Sequence, residues 1–299
     1  TFSYSIDQEK ELVRINKFCS TKRKTVVVQG LGFVGSAMLA ALAIARDDNG
    51  EPLYNVLGVD LADEDNYWKI GRVEEGLAPV KSTDVKLEAA FQLGIKAGNL
   101  MATYAPYAYE IADIIVVDIH LDINKTNLGD TSSYKFSFGI YEKALTQVAQ
   151  VCREDVLIII ETTVPPGTTE KVVHPLFEKI FAARDLDINK LKLAHSYERV
   201  MPGPGYLDSI TNFFRVFSAI GEEAKQATRK FLESFINTGD FPLSEMTRPT
   251  ASEMAKVLEN SYRAMNIAFI SEWGRYAEDA GVNLYEVIDA IRVRPTHKN

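Results

Sequence analysis

A glycine-rich turn near the N-terminus constrains the fold of this sequence more than any other feature. Residues 25–29 form a continuous apolar segment typical of a buried strand, and residues 36–45 have a strongly helical pattern. Between them lies the sequence GLGFVG, residues 30–35, which has the G-x-G-x-x-G spacing. In this strand–turn–helix context, the glycines predict a dinucleotide site with the pyrophosphate on the helix N-terminus.

Each glycine of this turn has its own predicted role. Gly30 permits the tight turn, Gly32 lets the backbone approach the pyrophosphate, and Gly35 lets the helix pack closely on the strand. Phe33 and Val34 complete the turn and are expected to belong to the same cofactor site. The alternative is a glycine turn that binds no ligand.

An acidic residue follows the second predicted strand, residues 55–60. Asp60 lies twenty-five residues beyond Gly35. A carboxylate there accepts hydrogen bonds from ribose hydroxyls and repels a 2′-phosphate, and it therefore favours NAD over NADP. Leu61, rather than an arginine, comes next, which agrees with NAD. The alternative is an ordinary surface aspartate.

Apolar and helical segments alternate along most of the chain. Short apolar segments predict strands over 114–119, 156–160, 191–195 and 214–220, and helices are predicted over 7–19, 139–152 and 169–183. Such alternation indicates a parallel sheet that is buried on both faces. The predicted fold class is α/β: a Rossmann-like, doubly wound, mostly parallel sheet followed by a long central helix.

A boundary is predicted at Arg248 and Pro249. Thr250 and Glu253 then have the spacing of a capping box, and a long helix over 251–279 follows, with a further helix from Asn283. We expect three regions: an N-terminal helical extension over 1–22, an NAD-binding Rossmann domain over 23–248, and a central helical region over 249–299. The apolar positions of the long helix recur at three and four residues: Met254, Val257, Leu258, Tyr262, Met265, Phe269 and Trp273.

Composition excludes several classes of protein. Of the 299 residues, 46% are hydrophobic, and the formal net charge of −8 argues against binding nucleic acid through its phosphates. No apolar stretch is long enough to span a membrane, and the N-terminus lacks the pattern of a signal peptide. Cys19, Cys152 and the four histidines show no metal-ligand spacing, so we expect no metal, reduced cysteines and a cytoplasmic location.

Three further segments carry groups that suit catalysis. ETTVPPGTT, residues 161–169, follows a core strand, and Thr163 lies in it. Glu198, in the proline- and glycine-rich loop SYERVMPG, is a candidate acid or base; its alternative role is in a surface ion pair with Arg199. Lys256 and Asn260 share one face of the long helix and could stabilise an oxyanion, although a solvated helix face is the alternative.

Taken together, these segments resemble the UDP-glucose/GDP-mannose dehydrogenase family. The stretches GLGFVG, ETTVPPGTTEKVV, SYERVMPG and TASEMAKVLENSYRAMNIAFISE come in the order typical of that family. The resemblance implies NAD-dependent oxidation of the C6 hydroxyl of a nucleotide sugar to a carboxylate, as in the synthesis of surface polysaccharide precursors. It implies that Thr163 positions water, Glu198 does acid–base work, and Lys256 with Asn260 stabilises the oxygen that gains charge. Pro202 matches the members that act on UDP-N-acetylhexosamines. The central helix, here 251–279, implies a homodimer.

The sequence departs from the family in two places. The nucleophilic cysteine of the family and its C-terminal nucleotide-sugar-binding domain would lie beyond Asn299, so we expect the chain alone to bind the cofactor and to be inactive. Asp118 and His120 replace a Pro-Thr-Pro-like turn, which puts a cofactor contact in doubt. Two alternatives stay open: a β-hydroxyacid or 6-phosphogluconate-type dehydrogenase, and a non-catalytic NAD-binding module.

Overall fold

The computed structural model of the chain describes residues 7–121, 123–127 and 129–294. It divides into two compact units, Thr1–Met254 and Ala255–Asn299. The first six residues of the predicted extension over 1–22, and the last five residues of the region over 249–299, lie outside the described residues.

Most strands of the first unit belong to one sheet. The strands of the described residues are β1 (Lys24–Gln29), β2 (Tyr54–Val59), β3 (Leu100–Thr103), β4 (Ile114–Val117), β5 (Ile123–Lys125), β6 (Tyr134–Phe136), β7 (Leu157–Ile160), β8 (Lys192–Tyr197), β9 (Val216–Ala219) and β10 (Ser244–Glu245). β5 and β6 form a separate antiparallel pair, and the other eight have the order β10-β9-β8-β7-β4-β1-β2-β3. Within this sheet, β8 and β9 are antiparallel, whereas the other neighbours are parallel.

Helices connect the strands of the first unit, and two further helices extend into or lie in the second unit. They are α1 (Gln8–Phe18), α2 (Phe33–Ile44), α3 (Tyr67–Glu74), α4 (Val85–Ala97), α5 (Tyr107–Glu110), α6 (Gly139–Val151), α7 (His174–Ala183), α8 (Asp208–Thr211), α9 (Glu222–Glu233), α10 (Pro249–Asp279) and α11 (Leu284–Arg292). A π-helical turn, Thr169–Val173, leads directly into α7. The long helix α10 begins in the first unit and continues through the second.

The core has two apolar layers, one on each face of the sheet. Val26 and Val28 of β1 belong to a cluster that includes Leu39 of α2. Val27 points to the opposite face and belongs to a second cluster, with Leu145 of α6. Because successive strand residues face opposite sides, both faces must be apolar in a sheet covered by helices on each side. The predicted doubly wound, mostly parallel sheet is therefore confirmed.

The order of the strands determines where a ligand can bind. The chain leaves β1 toward β2 and β3 on one side of the sheet, and later adds β4, β7 and β8 on the other side. In such sheets the crevice lies beyond the carboxyl ends of the strands, where the strand order reverses. Here that point lies between β1 and β4.

Two sequence predictions need correction. β9, predicted over 214–220, pairs antiparallel with β8, and β3 and β10 at the two edges of the sheet were not predicted. The capping box over Thr250 and Glu253 is wrong, because α10 already begins at Pro249. The backbone N–H of Thr250 donates to the Glu170 carboxylate at 3.2 Å, and Glu253 binds elsewhere in the fold.

The N-terminal helix α1 packs along the edge strand β3. Glu11 accepts a hydrogen bond from the Thr103 hydroxyl at 2.6 Å, and Arg14 donates to the Ala102 carbonyl at 2.7 Å. Arg14 also forms an ion pair with Glu74 of α3. These contacts protect an otherwise unpaired strand edge. Within residues 7–121, 123–127 and 129–294, no helix has the length and apolar character needed to cross a bilayer.

Candidate cofactor and catalytic site

The glycine turn, residues 30–35, joins β1 to α2 at the reversal point of the sheet. Gly30 has φ +97°, which an L side chain rarely adopts, and its N–H donates to the Val59 carbonyl at 2.8 Å. A Cβ on Gly35 would lie 1.8 Å from the carbonyl oxygen of Gly30. Internal packing therefore demands glycine at both positions.

Gly32 differs from the other two glycines, since the fold does not require it. A Cβ there would have no heavy atom within 4 Å, and its φ of −79° is ordinary for any residue. Gly32 is the N-cap of α2, and no side chain caps this helix. Its first N–H groups and the positive end of its dipole are therefore available to an anion. An open cradle of this kind fits the pyrophosphate of a dinucleotide.

Phe33 and Val34 form the first turn of α2. The Phe33 side chain is exposed, Val34 is half-buried, and the Phe33 carbonyl accepts a short hydrogen bond from the Tyr206 hydroxyl. The helix begins three residues earlier than the predicted 36–45, because Gly32 already serves as its cap. That Phe33 and Val34 contact a cofactor stays a prediction.

Asp60 lies just beyond β2 and faces the glycine turn. Its carboxylate accepts hydrogen bonds from the N–H of Leu31 at 2.9 Å and of Leu61 at 2.8 Å. Lys69 of α3 forms an ion pair with the same carboxylate at 3.1 Å. Lys69 could not be identified from the sequence, because Asp60 precedes it by nine residues and lies outside α3. Asp60 thus holds the glycine turn in place, and ribose binding by Asp60 stays a prediction.

The loop after β7 contains one threonine that is fixed by hydrogen bonds and one that is exposed to solvent. The Thr162 hydroxyl donates to the carbonyls of Ile119 at 2.8 Å and Val117 at 3.2 Å, which fixes the loop against β4. Thr163, the predicted water-positioning residue, is exposed at this carboxyl edge of the sheet. Gly167 has φ +96°, which turns the chain into the π-helical segment.

The helix start beyond this loop is already occupied by a protein carboxylate. Glu253 of α10, which is fully buried, accepts hydrogen bonds from the N–H groups of Gly167 and Thr169, the latter at 2.7 Å. Glu170 in turn accepts from the N–H and hydroxyl of Thr250 at the start of α10. The two helix N-termini therefore cap each other through exchanged glutamates.

A buried group of charged side chains, which we call the carboxyl cluster, lies at the ends of β4, β7 and β8. It comprises Glu161, Glu198 and Arg215, which are buried, and Asp118, which is half-buried with both carboxyl oxygens inaccessible to solvent. Arg215 forms an ion pair with Glu161, and both side chains are at least 98% buried. Burial, followed by the negative charges of Glu161 and Glu198, raises the pKa of Asp118 well above its usual value. Burial also raises the pKa of Glu161, although Arg215 opposes that shift.

Glu198 is 8% exposed, which does not agree with a role in a surface ion pair. Its carboxylate accepts a short hydrogen bond from the N–H of Val200. Arg199 donates to the Phe214 carbonyl at 2.8 Å and lies over the ring of Tyr197 at 5.1 Å. The structure thus places Glu198, Glu161 and Asp118 together, a grouping that the sequence had not indicated.

The remaining predicted residues lie on α10. Lys256 and Asn260 belong to the unit Ala255–Asn299, and their spacing of four residues places them one turn apart on one helix face. Their function with Glu198 and Thr163 stays a prediction. Cys19 and Cys152 are free thiols, and no group of three metal-ligating side chains is found in the part of the chain that the structure describes.

Comparison with known proteins decides the family. The model of the NAD binding domain of the UDP-glucose/GDP-mannose dehydrogenase family matches residues 24–236, and that of its central domain matches residues 250–298. The chain belongs to this family. Its glycine turn is therefore part of an NAD-binding domain, and NAD is its cofactor.

Individual relatives point the same way. A UDP-N-acetyl-D-mannosamine dehydrogenase of Pyrococcus horikoshii is 29% identical over 274 residues, which cover 91% of this chain and 58% of that protein. An NDP-N-acetyl-D-galactosaminuronic acid dehydrogenase of Ralstonia nicotianae is 26% identical, covering 91% of this chain and 59% of that one. The chain thus spans less than two thirds of the length of these relatives.

Solved structures extend the comparison. The UDP-D-ManNAc dehydrogenase structure from Pyrococcus horikoshii has a TM-score of 0.75 and 26% identity, and it covers 91% of this chain and 58% of that one. A 3-hydroxyisobutyrate dehydrogenase of Mycobacterium tuberculosis has a TM-score of 0.57 at 18% identity, covering 91% of this chain and 71% of that one. This second likeness shows the fold alone and does not favour the β-hydroxyacid alternative.

Proposed function

We propose that the protein to which this chain belongs uses NAD to oxidise the C6 hydroxyl of a nucleotide sugar to the carboxylate of the uronic acid. The observation that carries the proposal is the combination of an uncapped helix N-terminus at Gly32 with matches to both family domains. The names of the relatives favour a UDP-N-acetylhexosamine such as UDP-N-acetyl-D-mannosamine. The product would serve as a uronic acid precursor of surface polysaccharide.

The residues of this chain divide the work. Bound NAD supplies the hydride acceptor. Gly30, Gly32 and Gly35, with Phe33 and Val34, hold its pyrophosphate, and Asp60 holds its ribose. The same proposal divides the chain into three regions: an extension over 1–22, an NAD-binding domain over 23–248 and a helical region over 249–299.

Four other side chains act on the substrate. Thr163, exposed beyond β7, positions water, and buried Glu198 accepts or returns a proton. Lys256 and Asn260 stabilise the oxygen that gains negative charge during oxidation of the hydroxyl. Each of these groups is of a chemical type suited to its role, and all four match family motifs.

Neither cysteine of the chain suits the role of nucleophile. Burial raises the pKa of the Cys152 thiol to about 11, and burial also raises the pKa of Cys19. Because the thiolate is the nucleophilic form, both thiols are unreactive at neutral pH. We therefore place the nucleophilic cysteine and the nucleotide-sugar-binding domain in a segment of the whole protein beyond Asn299.

Product stoichiometry tests the proposal. Conversion of an alcohol to a carboxylate removes four electrons, so the full-length protein should form two NADH for each UDP-N-acetyl-D-mannosamine consumed, with one water incorporated. A β-hydroxyacid type of oxidation would form one NADH. A screen of UDP-sugars that yields one NADH per sugar, or none, contradicts the proposal.

A substitution tests the role given to Lys256. In the full-length protein, Lys256→Ala should slow NADH formation by at least about a hundredfold, because an oxyanion-stabilising charge is lost, and leave the Kd for NAD unchanged. Arg263→Ala, an exposed cation on the same helix, is the matched control. An unchanged rate for Lys256→Ala would remove its assigned role.

We further propose that the protein acts as a cytoplasmic homodimer through the helix over 251–279. In the chain alone this helix leaves large apolar side chains at least 44% exposed: Leu258, Tyr262, Met265, Ile267, Phe269 and Ile270. Contiguous apolar surface of this kind is typical of an interface. Sedimentation should give a dimer at micromolar concentration, and Phe269→Glu should give a monomer; a monomeric wild type contradicts the proposal.

A further inference from the structure

One buried acid lies directly beneath the glycine turn. The N–H of Asp118 donates to the Gln29 carbonyl at 2.8 Å, at the point where β1 leads into the turn. A Cβ on Gly30 would lie 2.7 Å from the Asp118 carbonyl oxygen, and one on Gly35 would lie 3.3 Å from the Asp118 Cβ. Asp118 is therefore in van der Waals contact with the turn that the cofactor phosphates must approach.

The surroundings of this side chain do not suit a negative charge. Both carboxyl oxygens of Asp118 are buried, and no donor among the described residues is bonded to them. The group within reach is the Glu161 carboxyl, with which Asp118 can share a hydrogen bond only when one of the two acids is protonated. Arg215, whose positive charge acts on Asp118, is already paired with Glu161. An unsolvated and unpaired carboxylate costs far more free energy than an unpaired neutral acid.

Sequence register explains why Asp118 and Glu161 lie together. Val117 of β4 is paired with Ile160 of β7, so these two acids are the first residues beyond neighbouring parallel strands. The N–H of Glu161 donates to the Val117 carbonyl at 3.0 Å, which keeps the two strand ends in register. The fold itself thus forces a second carboxyl group next to Asp118.

We propose that Asp118 belongs to the cofactor site as a neutral carboxylic acid, and that this neutral form is what allows the Gly30–Gly35 turn to accept a pyrophosphate. An ionised Asp118 would place a negative charge under the loop, opposite the two charges of the incoming group. In a poorly solvated site such repulsion is only weakly screened. Asp118 is thus a positioning residue that controls the charge of the phosphate-binding turn.

The neighbouring groups hold Asp118 in that form. Burial is the largest cause of its raised pKa, and the charges of Glu161 and Glu198 follow. The titratable and charged groups that face it come from the strand ends, from α6 and from the loop before α8: Glu161, Glu198, Arg215, Tyr141 and Tyr206. Burial raises the pKa of both tyrosines as well, so they stay neutral while Asp118 titrates.

The direction of the pH dependence follows from the raised pKa. The acid is neutral below its pKa, so cofactor affinity is complete there and is lost as pH rises through that value. NAD⁺ and NADH carry the same pyrophosphate, so both should lose affinity together. An effect of Asp118 on the nicotinamide ring would instead separate the two.

The experiment measures Kd for NAD⁺ and for NADH between pH 6 and 10, without any sugar nucleotide. Wild type should bind both about tenfold more weakly above the pKa of Asp118 than below it. Asp118→Asn, which imitates the neutral acid in shape, should bind as wild type does at pH 7, within twofold, and show no loss at high pH. Asp155→Asn, an exposed aspartate on Arg153, is the matched control and should behave as wild type.

Several results would overturn the inference. They are a wild-type affinity that rises with pH, a loss at high pH that Asp118→Asn shares, or an Asp118→Asn affinity more than fivefold from wild type at pH 7. Should that variant not fold, wild type still decides the matter. Calorimetry of NAD⁺ binding in two buffers of different ionisation enthalpy must show proton uptake at high pH, and its absence overturns the inference.

The inference rests on the assignment of NAD to the glycine turn and not on the proposed sugar oxidation. Complete absence of NAD⁺ binding at every pH would overturn the cofactor role of the turn and this inference together. Normal, Asp118-dependent binding with no turnover of UDP-sugars would leave the inference intact and contradict the proposed reaction alone.

Discussion

The junctions β1–α2 and β7–α7 both turn through a glycine, but they differ in what lies at the helix N-terminus. Both follow a buried strand of the same sheet, and both turn through a glycine of nearly equal φ, +97° at Gly30 and +96° at Gly167. The second junction receives the Glu253 carboxylate on the N–H groups at its helix start. The first has no capping side chain.

This difference separates a ligand site from a structural brace. A helix N-terminus favours an anion in either case, because its N–H groups and its dipole point the same way. Where the protein supplies the anion, the junction joins α10 to the sheet. Where it does not, the N–H groups stay open to an external anion such as a pyrophosphate.

Substitution of Gly35 by alanine should have the largest effect on the first junction. Its Cβ would lie 1.8 Å from the Gly30 carbonyl oxygen, a backbone atom that cannot move without displacing the turn. We expect a loss of about 3 kcal/mol in the free energy of unfolding, and loss of NAD binding. Urea denaturation and a binding titration measure the two effects.

Gly71→Ala is the matched control for that substitution. Gly71 lies inside α3, and a Cβ there would meet nothing within 4 Å. Alanine has the higher helix propensity, so this variant should be stabilised by about 0.5–1 kcal/mol. Equal stability of Gly35→Ala and wild type would contradict the close packing of helix and strand.

Glu253→Gln should disrupt the second junction by the next largest amount. The amide oxygen can still accept from one of the two N–H groups, of Gly167 or Thr169, but the amide NH2 then faces the other donor. The expected loss in the free energy of unfolding is about 2 kcal/mol, since a buried bond to a charged group is removed. NAD affinity should change less than twofold at neutral pH.

Glu272→Gln on the same helix is the comparison for Glu253. This glutamate is 67% exposed and pairs with Arg275, so its loss should cost under about 0.5 kcal/mol. If the two glutamine variants were equally stable, Glu253 would not be a brace. If Glu253→Gln lost NAD binding while staying folded, the contrast between the junctions would fail.

Much of this arrangement follows from short-range sequence patterns. The strands over 25–29, 55–60, 114–119 and 156–160 could be predicted because each is a continuous apolar run in a sheet buried on both faces. The edge strand β3 is buried, but its apolar run is only three residues long, and the two residues of β10 are polar and exposed.

The charged contacts were harder to predict, because their partners are distant in sequence. Glu161 and Arg215 are 54 residues apart, and Glu253 is 86 residues from Gly167. The Thr-x-x-Glu spacing even indicated the wrong partner for Glu253, since local spacing cannot reveal that Glu170 occupies the start of α10. The sequence showed that Asp118 departs from the family pattern. Its position next to Glu161 could be predicted only from the pairing of β4 with β7.

Gly32→Ala should affect binding and spare the fold, which sharpens the comparison. A Cβ there meets nothing in the protein, so the free energy of unfolding should fall by no more than about 1 kcal/mol, the cost of alanine at an N-cap. The same methyl group would obstruct an approaching pyrophosphate, and NAD affinity should fall about tenfold. Unchanged affinity would show that no ligand approaches Gly32.

Lys69→Met should have the smallest effect, and it concerns the choice of cofactor at the first junction. The Lys69 ammonium lies 3.1 Å from Asp60, and the two side chains are 18% and 9% exposed. Part of the negative charge that would repel a 2′-phosphate is therefore offset. Removal of Lys69 should raise the ratio of Kd for NADP to Kd for NAD about threefold, whereas Asp60→Ala should lower it.

Binding titrations with NAD and with NADP measure this ratio. Lys96→Met, at an exposed lysine of α4, is the control variant. Asp60 also holds the N–H of Leu31, so Asp60→Ala should weaken NAD binding as well as relax the discrimination. Lys69→Met leaves that hydrogen bond in place and changes the charge alone. Tighter NADP binding by Lys69→Met than by wild type would mean that Asp60 does not face the ribose, and the first junction would then bind its anion without selecting the nucleotide.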